Sequence, residues 1–273
     1  MSAPSDLAAQ FHALHEGPQI LVLANAWDAA SAAIMADAGA KAVATSSAAV
    51  AWAHGYADGD ALPVDKLLTT ISEIARVVAV PLTADIEGGY SDDLATVRAT
   101  VAAVVDAGAV GINLEDGRRD PELHARKVEA ARQAADRSGV KLFINARTDV
   151  FLKRLVEGDG ALEEALRRAE LYRAAGADGI FVPFANDPQL IATLASSIPL
   201  PLNVMAWTGV PPAAALQALG VRRLSSATHP FRAAFAPLKR TIEAYLRDGD
   251  PTALAEAGQG VPDLNARFSA TAP

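Results

Sequence analysis

Cysteine is absent from the 273 residues. That excludes a disulfide framework, a thiolate metal site and a cysteine nucleophile. Aromatic residues make up only 5%, too few for the stacking platforms that hold single-stranded nucleic acid. Basic charge is also scarce: 24 Lys and Arg face 32 Asp and Glu, a net charge of −8 at pH 7. With no dense run of Lys or Arg, a nucleic-acid surface is not expected. No apolar run reaches the length of a membrane span. The stretch from Met1 to His15 lacks the basic-then-apolar order of a secretory signal. The expected compartment is therefore the cytoplasm, with neither nucleic acid nor membrane as partner. A P-loop and a GxGxxG fingerprint are missing too, so a nucleotide cofactor is not expected.

What is present is apolar and alternating. Hydrophobic residues make up 51% and charged residues 21%, enough for a large core, and single barrels of roughly 250 residues are common. The run Ile20-Leu21-Val22-Leu23-Ala24 reads as a buried parallel strand, and a small-residue helix over 29–38 follows. Strands are predicted at 41–45, 78–82, 110–114, 141–145, 178–183, 200–205 and 221–224. Helices are predicted at 64–77, 92–106, 121–137, 162–175, 188–196, 212–219 and 230–246, with residues between 46 and 60 read as a loop. One corner recurs where a helix hands over to a strand: Asp37-Ala38-Gly39-Ala40, Asp106-Ala107-Gly108-Ala109, Ala175-Gly176-Ala177-Asp178 and, more loosely, Leu219-Gly220-Val221. Eight like units suit a (β/α)8 barrel over 1–247 better than a doubly wound open sheet. A short helix around Leu7, Phe11 and Leu14 leads in, and 248–273 reads as a tail that packs on a neighbour or frays.

The strand ends carry the chemistry in such barrels. The stretch Leu82-Thr83-Ala84-Asp85-Ile86-Glu87-Gly88-Gly89-Tyr90 ends an apolar run with two carboxylates two residues apart. Strand alternation would turn Asp85 and Glu87 to the same side, where they need a cation, a shared proton or water between them. A second acidic pair, Glu115-Asp116, ends another apolar strand. Together the pairs suit a hard cation such as Mg²⁺, with Mn²⁺ as an alternative; solvated acidic loops are the plainer reading. Arg147 follows Phe143-Ile144-Asn145-Ala146 and can grip a substrate carboxylate, or be held in a salt bridge to Asp149 or another acid. Ser46 and Ser47 offer hydroxyl and backbone donors to an oxyanion, or a helix cap. Trp27 and Asn203 stand at other strand ends, and His229 precedes Pro230 as a candidate acid or a plain capping residue.

In combination, Thr45-Ser46-Ser47, Gly55-Tyr56-Ala57-Asp58, the Ala84–Tyr90 segment, Asn113-Leu114-Glu115-Asp116, Asn145-Ala146-Arg147-Thr148-Asp149 and Leu202-Asn203-Val204 carry a resemblance. The chain resembles the isocitrate lyase/phosphoenolpyruvate mutase superfamily from Asn25 to about Phe235. The resemblance implies a Mg²⁺-dependent barrel that acts on small 2-oxo or 2-hydroxy carboxylates through a metal-bound enolate. It implies Asp85, Glu87 and Glu115 around the metal, with Asp58 reaching it directly or through water. Arg147, His229 and Asp58 become the catalytic candidates, and Trp27, Ser46, Ser47, Arg147 and Asn203 the substrate-binding ones. It also implies a homodimer or homotetramer that exchanges the helix over 230–246. The departures narrow the reaction. Where the family's C–C lyases place a cysteine acid, this chain reads Gly117-Arg118-Arg119-Asp120-Pro121, and the lysine- and asparagine-bearing gate of the phosphonomutases is missing as well. The branch that remains is similar to oxaloacetate decarboxylase. The alternatives are a phosphonomutase or phosphonopyruvate hydrolase, for which Arg118 or Arg119 would have to point inward, and a non-catalytic carboxylate-binding barrel.

Overall fold

The computed structural model describes residues 3–158 and 160–269. Eight parallel strands close a barrel in sequence order: β1 (Leu21–Ala26), β2 (Val43–Thr45), β3 (Leu82–Asp85), β4 (Gly111–Glu115), β5 (Phe143–Arg147), β6 (Gly179–Phe181), β7 (Leu202–Met205) and β8 (Arg223–Ser225), with β8 pairing back to β1. Ahead of it runs α1 (Pro4–Glu16). Around it stand α2 (Ala29–Asp37), α3 (Ser47–Ala53), α4 (Val64–Val77), α5 (Leu94–Asp106), α6 (Pro121–Ser138), α7 (Gly160–Ala174), α8 (Pro188–Ser197), α9 (Ala213–Ala218) and α10 (His229–Asp248); α11 (Thr252–Ala257) and α12 (Leu264–Ser269) complete the chain. The expected (β/α)8 architecture is therefore the observed one.

The recurrent corners explain how short connections suffice at the lower end. Gly39, Gly108, Gly176 and Gly220 all take φ between 94° and 108°, a region that only glycine enters without cost. Each lets a helix end within one residue of the turn into the next strand. Two local expectations shift. The run from Val78 is a lead-in, and β3 starts at Leu82, because Pro81 cannot donate to the ladder. The loop expected after β2 begins instead with α3, whose N-cap Ser46 accepts a long bond from Ala49 N at 3.5 Å.

The bottom of the barrel is plugged by α1. Phe11 is wholly buried and meets Phe143 edge-on at 5.5 Å, while His15 stacks on Phe143 at 3.9 Å. Gly111 makes room for the plug, since a Cβ there would stand 2.6 Å from Phe11 Cε1. The tail returns to its own barrel: Arg267 of α12 pairs with Asp37 at 2.9 Å and donates to the Val77 carbonyl. Residues 270–273 of that tail lie outside the described residues. The Phe11 plug makes α1 part of the core. Phe11→Ala is expected to destabilise the protein by about 3–5 kcal/mol in urea unfolding; a loss under about 1 kcal/mol would mean that α1 is dispensable decoration.

Candidate functional site

At the C-terminal ends of the strands lies a cavity of about 160 Å³, whose polar lining comprises Asn25, Ser46, Ser47, Asp58, Asp85, Asn113, Arg147, Ser225 and Thr228. Leu152, Phe181, Phe184, Met205 and Trp207 line it too, with the Arg147 guanidinium over the Phe181 ring at 5.6 Å. A wider cleft of about 470 Å³ lies elsewhere, on the outer face of β1 against α2, and holds none of the strand-end polar residues.

The two acidic pairs come apart in an instructive way. Asp85 ends β3 and faces the cavity, accepting from Glu87 N at 3.1 Å, while its own N–H donates to Thr45 Oγ1 at 2.8 Å. Glu87 was expected on the same side. Its φ of 50° breaks the strand alternation, and its carboxylate turns instead to the loop after α3. There it accepts from Gly59 N at 2.7 Å, from Asp60 N, and from the Tyr90 hydroxyl at 3.1 Å. Glu115 pairs with Arg147 Nη1 at 2.6 Å. Asp116, the next residue, points outward as alternation requires. It is fully buried and accepts from Arg168 Nη1, Tyr172 OH and Asp149 N, all within 2.8 Å.

Arg147 is held in salt bridges and still reaches the cavity. Its guanidinium lines the cavity and is also forked against Asp149, at 2.7 and 3.2 Å. Asp149 is in turn fixed by the Asp116 hub through its backbone N–H. The arginine is thus held in one orientation before any ligand arrives, which lowers the ordering cost of a carboxylate grip.

Three expected site residues stand away from the cavity. Trp27 packs edge-on against Phe231 at 5.2 Å and Phe235 at 6.3 Å on α10, so it anchors that helix. Asn203 is buried at the base of β7, accepting from Ser225 Oγ at 3.4 Å. His229 opens α10 with its ring edge-on to Trp207 at 5.0 Å, behind the lining rather than in it. Ser46, Ser47, Asp58, Asp85 and Arg147 are brought together. Sequence reasoning gave no role to Asn25, whose Oδ1 accepts from Ser226 N and Ala227 N and ties β1 to the loop after β8. It also missed Asp60, which accepts from Gly88 N, Tyr90 N and Arg119 Nη2 and latches the Asp58 loop to the loop after β3. The one usable signal was the pair of acids Asp58 and Asp60 flanking Gly59.

Electrostatics says what this cluster needs. Burial pushes the Asp85 carboxyl up, against the pull of Arg147. Burial also raises Glu87 to about 7, and Glu115 to about 8. These groups hold protons longer folded than unfolded, so their stabilising contribution is present at low pH and lost as pH rises through about 7 to 8. A bound cation would remove that penalty. Among the described residues, no three acidic or imidazole side chains stand close enough to enclose a metal alone. That excludes a closed protein cage but suits Mg²⁺, which keeps several waters and takes one or two carboxylates. Asp85 and Asp58, the two acids on the lining, fit that role; Glu87 and Glu115 are committed to other partners and would act through water.

Fold and strand-end chemistry define a (β/α)8 barrel with a buried, acid-rich mouth. The family model described as phosphoenolpyruvate phosphomutase matches residues 11–246, and the chain belongs to this family, within the isocitrate lyase/phosphoenolpyruvate mutase superfamily of lyases and mutases. An uncharacterized protein of Mycobacterium tuberculosis is 36% identical over 228 residues, covering 82% of this chain and 83% of its own. An oxaloacetate decarboxylase of Pseudomonas syringae pv. tomato is 26% identical over 271 residues, 97% of this chain and 92% of that protein. A protein of Burkholderia cenocepacia J2315, provisionally named a phosphonomutase, has a crystal structure that superposes with a TM-score of 0.84 at 43% identity, covering 87% of this chain and 99% of that one. No helix among the described residues is long and apolar enough to cross a membrane.

Because Asp85 is the buried acid on the lining, Asp85→Ala is expected to weaken Mg²⁺ binding at least tenfold, about 1.4 kcal/mol, in calorimetry. Thermal stability should hold or rise as a buried charge is removed. Unchanged Mg²⁺ affinity would remove the metal reading.

Proposed function

We propose that this protein is a Mg²⁺-dependent carbon–carbon lyase of small 2-oxo acids, with decarboxylation of an oxaloacetate-like acid as its reaction. One observation carries the reading: among the described residues of the lining, Arg147 is the single cation. Arg119 is turned to Asp60 and Asp92 at 2.6 and 2.8 Å, and Arg118 donates to the Lys153 carbonyl. A single, pre-oriented guanidinium suits one carboxylate.

Arg147 would hold the carboxylate beside the 2-oxo group, with Ser46 and Ser47 closing that side of the cavity. Mg²⁺ held at Asp85 and Asp58 would supply the electron sink that decarboxylation needs. The bond to the departing carboxylate can then break without a dedicated base, which matches a chain that lacks cysteine and whose His229 stands behind Trp207. Asp58 is exposed at the rim, where solvent can supply the proton that the product carbon takes up. A retro-aldol cleavage would require a positioned acid worth about 10²–10⁴-fold in rate, and the lining offers none. The phosphonomutase reading is favoured by the 43% identity to the Burkholderia protein; a phosphonate dianion would leave charge unmatched beside Arg147. The test is a panel of oxaloacetate, isocitrate, methylisocitrate and phosphonopyruvate, with and without Mg²⁺. Pyruvate release from oxaloacetate only with Mg²⁺ is the expected result. Brisk cleavage of a tricarboxylate, phosphonopyruvate turnover, or tight binding without any turnover would each replace the proposal by its named alternative.

We also propose a homo-oligomer joined through α10. None of the residues of α10 is buried, and Phe235, Leu238 and Leu246 are 42%, 46% and 75% exposed. The cleft beside β1 is its complement, apolar and open, with Val22 53% exposed. A second copy's α10 seated there would cover both surfaces. Sedimentation at micromolar concentration should give a dimer or tetramer, and Leu238→Asp should shift it toward monomer. A monomeric wild type overturns the proposal.

A further inference from the structure

Arg147 owes its place to a residue that does not line the cavity. Asp116 follows the last residue of β4, Glu115, and alternation turns it away from the barrel axis toward α7. Its backbone N–H donates to the Arg147 carbonyl at 3.1 Å, and its Oδ1 accepts from Asp149 N at 2.8 Å. One residue thus holds the chain at Arg147 itself and again two residues on. Asp149 then takes the guanidinium, at 2.7 Å from Nε and 3.2 Å from Nη2. The second oxygen of Asp116, Oδ2, is held by the outer ring: it accepts from Arg168 Nη1 and from the Tyr172 hydroxyl, both at 2.7 Å. Arg168 is fixed in turn by Glu164, whose Oε1 accepts from its Nε at 2.6 Å. The Tyr172 ring is packed independently of its hydroxyl, edge-on to the buried His124 at 4.5 Å.

We infer that Arg168 and Tyr172 of α7 are positioning residues for the carboxylate grip, acting on Arg147 through Asp116 and Asp149. The inference rests on the 2-oxo acid reading of the site. A buried charged pair adds little net stability over an apolar pack of equal volume, so stability alone gives Asp116, Arg168 and Tyr172 little reason to be polar. Geometry gives them one. Asp116 is wholly buried and Arg168 is 7% exposed; with Oδ2 fixed by two donors, Oδ1 is aimed at Asp149 N. A planar guanidinium recognises a carboxylate by direction as well as charge. A small swing of Asp149 would therefore spoil the fork while leaving the charge in place. Neither Arg168 nor Tyr172 lines the cavity, so neither touches a ligand there. The bonds from α7 to Arg147 also bypass Asp85, which accepts from Glu87 N at 3.1 Å.

Two substitutions separate positioning from plain support. Tyr172→Phe removes the hydroxyl and keeps the ring against His124; Arg168→Met removes the guanidinium and keeps an unbranched stem. Calorimetry on the full-length protein is read twice, for Mg²⁺ alone and for pyruvate at saturating Mg²⁺. Each variant is expected to bind pyruvate about three- to tenfold more weakly, while Mg²⁺ affinity stays within about twofold of the wild type. A general loosening of the mouth would move both. Arg168→Lys, which returns a cation to Asp116, should recover part of the pyruvate affinity lost in Arg168→Met. Circular dichroism identifies a variant that has failed to fold, and the other then decides; if both unfold, the cluster is structural and the inference is overturned. Unchanged pyruvate affinity, equal weakening of pyruvate and Mg²⁺, or no difference between Arg168→Lys and Arg168→Met overturns the positioning role and leaves the lyase reading standing. If the wild type binds no pyruvate with Mg²⁺ present, the carboxylate grip falls and both readings fall with it.

Discussion

Negative charge buried at one end of a closed barrel is the constraint on which the rest of the site depends. Asp116 and Asp149 are fully buried, and Glu87 and Asp85 are 2% and 7% exposed. A buried carboxylate without compensation costs several kcal/mol, so each must be matched by something the fold supplies. Asp116 is matched by Arg168, Tyr172 and a backbone N–H, and Asp149 by Arg147 with Lys153 at 3.5 Å. Glu87 draws on two loop N–H groups and Tyr90. Asp85 receives the Glu87 N–H and the Asn113 side chain and faces Arg147 across the cavity. It is the least compensated of the set, and it is the one turned to the cavity. The charge left over after structural pairing thus marks where a cation belongs.

The same logic runs down the barrel. Its interior is not uniformly apolar: Asn113 accepts from Asn145 Nδ2 at 2.9 Å and from Arg223 Nη2 at 3.1 Å. Arg223 is 1% exposed and lies over the Phe11 ring. Burial pulls its guanidinium down to about 9, against the opposing attraction of Asp85. A cation beneath the floor and an acid-rich mouth above it form a column of opposite charge along the barrel axis. The apolar plug of α1 closes the column from water at the bottom, which strengthens every electrostatic contact above it.

Much of this fold was legible because its signals are local. Apolar runs of strand length, amphipathic helices and the repeated helix-Gly-strand corners each depend on neighbours in sequence, and together they gave the eight units and the barrel. The site was legible as a set of positions at strand ends, and Asp85, Asp58, Ser46, Ser47 and Arg147 do meet around one cavity. What could not be read was direction. A single backbone angle at Glu87 turned its carboxylate from the cavity to the Asp60 loop. Trp27 stands in the right place along the chain, yet its ring is claimed by Phe231 and Phe235, more than two hundred residues later. The Arg119–Asp60 pair, 59 residues apart, is likewise invisible to any local pattern. Packing of loops against loops decides such questions, and periodicity is silent about it.

The distribution of backbone strain sharpens this division between frame and site. At the lower end the chain turns through glycine, at Gly39, Gly108, Gly176 and Gly220, where left-handed φ carries no side-chain penalty. At the upper end, among the described residues, left-handed glycines such as Gly59, Gly89, Gly117 and Gly209 are joined by six residues that carry side chains: Asp60, Glu87, Tyr90, Arg154, Phe184 and Ala227. Every one lies in a segment that follows a strand and precedes the next major helix of the ring. Each costs of order 1–3 kcal/mol, a large fraction of the 5–15 kcal/mol by which a domain of this kind is stable. The lower turns therefore need only conformational freedom. The upper turns need particular side chains at strained positions, because those side chains latch the Asp58 loop, orient the carboxylates and build the aromatic rim. Stability is concentrated in the barrel and its helices, and part of it offsets the strain at the mouth that gives the cavity its shape.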